Sequence, residues 1–149
     1  MEYINRLKCE FEARSSNEGL ARSIVAALAV SADPTLDELD DLRTAVSEAV
    51  TNCIVHGYNQ ECCPENLVYI DCILYKDRIS VTIKDTGCGI EDINKAMQPL
   101  YTSAPDMERS GMGFTVMETF TDKLNVKSVP GEGTSVTMVK IFSGERDKE

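Results

Sequence analysis

Residues 35–57 of this chain read TLDELDDLRTAVSEAVTNCIVHG, and this stretch decides the fold. Thr35-x-x-Glu38 is a capping-box pattern, in which each side chain accepts a hydrogen bond from a backbone amide at the start of a helix. Behind it, apolar side chains recur at helical spacing as far as His56, and Gly57 is placed to end the helix. These apolar residues are Leu39, Leu42, Val46, Ala49, Val50 and Cys53. The stretch therefore predicts a long amphipathic helix.

Two polar side chains lie at the border of that apolar stripe. Glu48 and Asn52 are four residues apart, so they share one face of the helix, and His56 continues the same face. Carboxylate and amide oxygens are ligands that suit Mg²⁺. A carboxylate here can also accept a proton from an attacking hydroxyl. Taken alone, the pair is more readily explained by a solvated helix face, which is the commoner reason for such spacing.

The segment before this helix predicts a strand followed by a first helix. Residues 3–11 alternate in polarity, which is typical of a strand. Ser15-x-x-Glu18 is a second capping-box pattern, and apolar residues follow it at helical spacing. We expect a helix over residues 17–30, ended by Asp33-Pro34.

The segment after the long helix predicts two hairpins. Residues 67–75 and 78–84 flank a short connection, and residues 124–129 and 134–142 flank a glycine turn. Short helices are expected over residues 91–97 and 114–120, on either side of a polar loop, 98–113, that is long enough to suggest a functional role. The predicted fold is an α+β two-layer sandwich, a mostly antiparallel mixed sheet with helices on one face. We expect one domain over residues 1–142 and a charged tail over residues 143–149.

Composition narrows the class of protein. The chain has 149 residues and a net charge of −10, so phosphate backbones repel it and a basic protein is an easier partner than nucleic acid. No stretch approaches the roughly 20 apolar residues of a membrane span, and the N-terminus shows no secretion signal. The six cysteines form no Cys-x-x-Cys pair and His56 is the single histidine, which argues for reduced thiols in a cytoplasm and against a zinc site.

A glycine turn follows a predicted buried strand. It reads Asp85-Thr86-Gly87-Cys88-Gly89. Its glycines allow close approach of the backbone to a flat ligand or a positive φ. An aspartate at the end of a strand can accept hydrogen bonds from an amino group such as that of adenine. A tight Asp-Gly turn without any ligand is the alternative.

A second glycine segment, RSGMG over residues 109–113, precedes the predicted helix 114–120. Backbone amides at such a junction form an anion cradle, and Arg109 adds a fixed positive charge for phosphate. The segment is not a Walker P-loop, because no Gly-Lys-Ser/Thr ends it, and it is not a Rossmann fingerprint. A flexible loop with a glycine cap is the alternative. Gly131-x-Gly133-Thr134, before the last strand, is by itself a hairpin turn.

The order of these four motifs resembles the ATPase superfamily of gyrase, heat-shock chaperones, histidine kinases and mismatch-repair proteins. The likeness extends over nearly the whole chain. Because a phosphoacceptor hairpin and large extra domains are not expected here, the chain is most similar to the bacterial anti-sigma serine kinases, and in particular to the anti-sigma-F family that governs sporulation. The segments that carry this closer likeness are 47–52 (SEAVTN), 56–58 (HGY), 98–100 (QPL) and 108–114 (ERSGMGF).

The resemblance implies a nucleotide site. Glu48 is expected to be the general base for a substrate serine, and Asn52 to ligate Mg²⁺. Asp85 is expected to bind the adenine amino group of ATP or ADP. The base pocket is then lined by Gly87, Gly89 and Thr134.

The resemblance also assigns the phosphate side and a partner contact. Arg109 is expected to reach the γ-phosphate. The phosphates are then held by Thr102, Ser110, Gly111, Met112 and Gly113. Arg22, on the first helix, matches an arginine used against both protein partners, although a solvated helix charge explains it equally well.

The implied function is that of an anti-sigma factor and ATP-dependent protein serine kinase. Such a protein is a cytoplasmic homodimer. With ATP bound it holds a sigma factor inactive, and it phosphorylates a serine on an anti-anti-sigma protein. With ADP bound it favours the unphosphorylated form of that anti-anti-sigma protein. Direct binding to nucleic acid or membrane is not expected. Three alternatives stay open: a general-stress anti-sigma kinase, a nucleotide-gated binding module without kinase activity, and a simple ATP hydrolase.

Two positions depart from the family pattern. Ser103-Ala104 stands where the resemblance leads us to expect threonine-lysine, which removes a cation from the loop over the nucleotide. Cys88 lies inside the glycine turn, and we expect it to pack beside the nucleotide and to make binding sensitive to thiol reagents.

Overall fold

A computed structural model describes residues 2–97 and 113–143 of the chain. The predicted loop lies outside the described residues except for Gly113, and the tail does so except for Ser143. The strands are β1 Asn5–Glu12, β2 Leu67–Leu74, β3 Arg78–Asp85, β4 Lys123–Val129 and β5 Gly133–Ile141. The helices are α1 Asn17–Ala29, α2 Leu36–Asn52, α3 Ile93–Ala96 and α4 Gly113–Phe120. Both predicted hairpins are confirmed, as β2 with β3 and β4 with β5.

The five strands form one sheet in the order β1-β2-β3-β5-β4. Each of its four ladders is antiparallel. Strands β3 and β4 run in the same direction, but β5 lies between them, so no parallel pair forms among the described strands. The α+β fold class is confirmed, with an antiparallel sheet where a partly mixed one was predicted.

The helices cover one face of this sheet. Alternate residues of β2 and β3 are buried, as a half-covered strand requires. They join α1, α2 and α4 in one hydrophobic core. On the opposite face, Arg6 of β1 forms a two-bonded ion pair with Asp71 of β2, at 3.0 and 2.7 Å. None of the helices in the described ranges is long and apolar enough to cross a membrane.

The two predicted capping boxes have different outcomes. The box at α2 is confirmed: the Glu38 amide donates to Thr35 Oγ1 at 3.1 Å, and the Thr35 amide donates to the Glu38 carboxylate at 2.9 Å. The box at Ser15 is wrong. Helix α1 begins at Asn17, as predicted, but the residue before it is Ser16, which has helical φ and ψ and makes no capping bond through its side chain.

The end of α2 differs from the prediction in geometry. The α-helical turns stop at Asn52, and residues Cys53–Gly57 form one wider π turn. Such a turn changes the direction in which the following side chains point, and it occurs frequently at functional sites. The helix predicted as far as His56 is therefore present, with its last turn widened.

A lysine ties three elements together at the far end of α2. The Lys140 ammonium on β5 lies 3.2 Å from the Asp41 carboxylate on α2 and donates to the Phe120 carbonyl at the end of α4, at 3.1 Å. Its side chain is only 12% exposed. This contact holds α4 against the helix that carries Glu48 and Asn52.

Candidate functional site

A cavity of about 470 Å³ opens between the end of α2, the turn after β3, the start of α4 and the β4–β5 hairpin. Five residues predicted for the nucleotide site line it: Asn52, Asp85, Gly89, Gly113 and Thr134. Its apolar wall includes Ile83 of β3 and Val136 of β5. Apolar walls with a few convergent polar groups are typical of a small-molecule site.

Asp85 is the buried charged residue at one end of this cavity. It is the last residue of β3, is only 2% exposed and is the sole buried charged side chain in the described part of the chain. Its carboxylate accepts a hydrogen bond from the Gly87 amide at 2.9 Å, and further ones from the Cys53 thiol and the Thr134 amide. Burial raises the pKa of Asp85 above its usual value, and these hydrogen bonds partly offset the rise.

Two glycines allow the backbone to close around Asp85. A β-carbon on Gly57 would stand 2.7 Å from the Asp85 carboxyl carbon, closer than real side chains come. A β-carbon on Gly87 would collide with the Gly57 carbonyl. Gly57 was predicted as a helix stop, and the structure shows that it is also needed for the approach of Asp85.

The turn after β3 is fixed to its neighbours by backbone hydrogen bonds. The Cys88 amide donates to the Gly57 carbonyl at 2.9 Å, and the Gly131 amide donates to the Cys88 carbonyl at 2.7 Å. The Ile90 amide donates to Ser128 Oγ at 2.7 Å. The turn is therefore held both by the end of the long helix and by the last hairpin.

Tyr58 adds a side-chain anchor to the same turn, and sequence reasoning gave it no role. Its ring is buried, with 6% exposed, and its hydroxyl contacts Thr86 and the Leu67 carbonyl. Burial raises the pKa of Tyr58, and the hydrogen bonds from Thr86 offset part of this rise. The signal in the sequence was the position of Tyr58 directly after the helix-ending Gly57, in the segment 56–58 (HGY) that carries part of the family likeness.

The polar face of α2 is only partly turned toward the cavity. Asn52 and His56 line it, whereas Glu48, half-buried one turn earlier, is not among the described lining residues. Ala49, next to Glu48, does line it. The structure thus places Asn52 in the wall of the site, and Glu48 one helical turn earlier, next to a residue of that wall.

Cys88 is the exposed cysteine of the cavity wall. Its thiol donates to the His56 carbonyl at 3.0 Å. All six cysteines are free. Cys53 differs in being buried against Asp85, and burial together with this carboxylate raises its pKa well above the usual value. Its thiol is therefore protonated and serves as a donor to Asp85.

Several residues predicted for the phosphate side lie outside the described residues. They are Thr102, Arg109, Ser110, Gly111 and Met112, together with the departure Ser103-Ala104.

The other predicted residues differ in their relation to the cavity. Gly113 is the first residue of α4, so its end of the cavity is a helix N-terminus, which favours an anion. Gly87 shapes the turn without lining the cavity. Arg22 is exposed on α1, where it pairs with Glu18 at 2.7 Å, away from the cavity wall.

Comparison with known proteins agrees with this geometry. The family model described as "Histidine kinase-like ATPase domain" matches residues 11–140. A solved structure that contains the RsbU and RsbW domains of a Mycobacterium tuberculosis protein superposes with a TM-score of 0.64 at 14% identity, over 93% of this chain and 32% of that one. At that identity the likeness shows the fold alone, and this chain spans about a third of that protein.

Curated relatives are much more similar in sequence. A protein of Thermoanaerobacter pseudethanolicus is 49% identical over 146 residues, which cover 98% of this chain and all of the relative. One of Oceanobacillus iheyensis is 52% identical over 93% of this chain and 94% of the relative. One of Clostridium perfringens is 53% identical over 91% and 96%. Each carries the name "Anti-sigma F factor".

Proposed function

Because this chain belongs to the histidine kinase-like ATPase family and, within it, to the anti-sigma F factors, we propose that it inhibits a sporulation sigma factor in its ATP-bound state and phosphorylates a serine on an anti-anti-sigma protein. The chain is an anti-sigma factor built on a nucleotide-binding ATPase fold. The kinase reaction, its Mg²⁺ ion and its protein substrate are the proposed part.

The observation that carries the proposal is the buried carboxylate of Asp85 at the end of an apolar cavity. A buried charge is costly unless hydrogen bonds or a ligand satisfy it. An adenine amino group adds one more donor to a carboxylate that already accepts three. Gly57 and Gly87 let the backbone pack closely around this carboxylate, and Ile83 and Val136, paired side by side on β3 and β5, form part of the apolar wall beside it.

The phosphates of the nucleotide then point toward Asn52 and Gly113. In the described part of the chain, no group of three or more His, Cys, Asp or Glu side chains is arranged to hold a metal. This fits Mg²⁺, which keeps much of its shell for water and substrate phosphates, with the Asn52 amide oxygen as a protein ligand. When bound, Mg²⁺ neutralises charge on the phosphates. We propose that Thr102 and residues 110–113 complete the phosphate site.

Glu48 is the proposed general base. It is half-buried one turn before Asn52 on α2, next to Ala49 of the cavity wall, and we propose that a serine of a docked protein approaches it there. Its carboxylate accepts the proton of the serine hydroxyl as that oxygen attacks the γ-phosphorus, and the bond from this phosphorus to the β,γ-bridging oxygen breaks to release ADP. Arg109 is proposed to stabilise the charge on the transferred group. Phosphoryl transfer depends mainly on such positioning and charge stabilisation.

The remaining assignments concern assembly. We propose that Arg22 contacts both protein partners, since it is exposed on α1 with a charge that is only paired locally to Glu18. We also propose a homodimer, a cytoplasmic location, and a single ATP-binding domain over residues 1–142 with a charged tail over residues 143–149. The single core that joins α1, α2 and α4 to the sheet supports the one-domain assignment.

The test is incubation with γ-labelled ATP and Mg²⁺, with and without an anti-anti-sigma protein from the same genome. Label on a serine of that protein is expected, and substitution of that serine by alanine should abolish it. ATP binding without transfer would overturn the kinase assignment and leave a nucleotide-gated binding module. Rapid hydrolysis without any acceptor would indicate a simple ATP hydrolase. Pull-down with sporulation and general-stress sigma factors identifies the inhibited partner.

A further inference from the structure

The Tyr58 hydroxyl joins two segments that are distant in sequence. It donates to the Leu67 carbonyl at 2.6 Å, at the start of β2. The Thr86 amide donates to it at 2.8 Å, and Thr86 Oγ1 lies 3.2 Å away. Thr86 is the residue directly after Asp85.

The direction of each hydrogen bond follows from the chemistry of the groups. A phenolic hydroxyl has one proton, and the Leu67 carbonyl can only accept. The Tyr58 proton is therefore used there, and the hydroxyl oxygen accepts from both the amide and the hydroxyl of Thr86. With these three contacts the hydroxyl ties Thr86 to the start of β2.

Packing alone does not require this hydroxyl. A phenylalanine would fill the same place in the core with the same ring, and the partner of the hydroxyl, Thr86, is itself an exposed residue. The hydroxyl instead determines where the turn lies relative to the end of the long helix. Tyr58 directly follows the π turn of that helix, and Gly57 already holds Asp85 and Cys88.

We propose that Tyr58 is a positioning residue that sets adenine specificity: its hydroxyl holds the Asp85-Thr86-Gly87 turn so that the Asp85 carboxylate meets the 6-amino group of the base. This inference rests on the proposed nucleotide site. Tyr58 does not line the cavity, but through Asp85 it would help to distinguish adenine from bases with a 6-carbonyl.

The test compares binding of Mg-ADP and Mg-IDP by isothermal titration calorimetry, because neither diphosphate carries a γ-phosphate for transfer. Hypoxanthine, the base of IDP, lacks the 6-amino group that Asp85 would accept from. The wild-type chain should prefer ADP by about 100-fold or more. Tyr58→Phe should weaken ADP binding by about tenfold and leave IDP binding within about twofold, so that the preference falls about tenfold.

Tyr69→Phe is the matched control, because it removes a phenolic hydroxyl on the outer face of β2, away from the cavity. It should leave the ADP preference unchanged. Thr86→Val removes only the 3.2 Å contact from an exposed residue, so it should lower the preference by about two- to threefold. This variant also carries the test if Tyr58→Phe fails to fold.

The outcomes separate the inference from its premise. A wild-type chain that binds both diphosphates equally would overturn the adenine site itself. A wild-type preference that survives Tyr58→Phe or Thr86→Val intact would overturn the role of Tyr58 alone. Equal weakening of ADP and IDP in Tyr58→Phe would also overturn it, since that pattern indicates general loss of structure.

Discussion

The Cα of Gly57, at the end of the long helix, lies so close to the Asp85 carboxylate that a β-carbon would stand within 2.7 to 2.9 Å of its three carboxyl atoms. This contact joins the helix that carries Asn52 to the strand end that carries the buried charge. The proposed base and phosphate ends of the nucleotide site are thus held at a fixed separation by direct backbone packing.

Gly57→Ala should therefore displace Asp85. We expect it to weaken ADP binding by at least about tenfold and to lower the free energy of unfolding by about 1–3 kcal/mol, because the added methyl has no space. Calorimetric titration and denaturant unfolding measure the two effects. Gly19→Ala is the matched control: its β-carbon meets only the Arg22 side chain, at 3.7 Å, inside α1. It should raise stability by about 0.5–1 kcal/mol without changing ADP affinity, and equal behaviour of the two variants would contradict the close-packing argument.

Nucleotide affinity should depend on the protonation of Asp85. The ionised carboxylate is the better acceptor for an amino group, so affinity is present above its pKa and is lost as the pH falls through it. Because burial raises that pKa, the loss should begin at a higher pH than for an ordinary aspartate. Stability changes in the opposite sense. Because the pKa of Asp85 is higher in the native state than in the unfolded state, the native state loses stability as the pH rises from the unfolded-state pKa to the native-state pKa.

Titration of ADP binding between about pH 8 and pH 5 measures this dependence, with Asp85→Asn as the control for the ionisation. The variant should bind ADP weakly, and its affinity should change with pH only as far as the nucleotide itself titrates. Since titration of the nucleotide itself is common to both proteins, only the difference between them reports on Asp85. Identical pH profiles would remove this carboxylate from base recognition.

Glu48→Gln should separate binding from transfer. Loss of a general base lowers phosphorylation of the serine by at least about 100-fold, whereas ADP affinity should change by less than about threefold, because Glu48 is not among the residues that line the cavity in the described part of the chain. Single-turnover transfer and calorimetric titration give the two values. Glu10→Gln, which removes an exposed carboxylate on β1, should change neither. Full transfer by Glu48→Gln would exclude this residue as the base.

Lys140→Met tests the contact that holds α4 against α2. It leaves the Phe120 carbonyl and the Asp41 carboxylate without their donor in a mostly buried place, so we expect a loss of about 1–3 kcal/mol in the free energy of unfolding. Arg43→Met breaks the exposed pair with Asp40, at 3.4 Å, and should change stability by less than about 0.5 kcal/mol. Urea unfolding compares them, and equal losses would show that burial of Lys140 has no energetic weight.

Regular elements were predictable from the sequence where local signals agreed. The Thr35 capping box and the apolar period behind it predicted α2, and two pairs of β-rich segments predicted the hairpins. The Ser15 box failed because its pattern is equally compatible with a turn: the Ser15 carbonyl, not its hydroxyl, accepts from the Glu18 amide, at 3.2 Å. The π turn at residues 53–57 had no sequence signal, since its width depends on packing against β3 and β5.

The sequence predicted which residues form the site better than it predicted the contacts among them. The order of the motifs predicted that one nucleotide site contains Asn52, Asp85, Gly89, Gly113 and Thr134, and all five line the same cavity. The contacts of Gly57, Tyr58 and Cys53 with the turn after β3 link residues about 30 positions apart, and no local pattern encodes such pairs. These contacts depend on how the helix end meets the sheet, which only the folded chain shows.

The most direct measurement is a crystal structure of the chain with Mg²⁺ and a non-hydrolysable ATP analogue. We predict the adenine amino nitrogen about 2.7–3.2 Å from the Asp85 carboxylate, with the base beside the apolar wall that includes Ile83 and Val136 and the Asn52 amide oxygen at the metal. Adenine bound elsewhere, or bound in this cavity with its amino group turned away from Asp85, would contradict the proposed site.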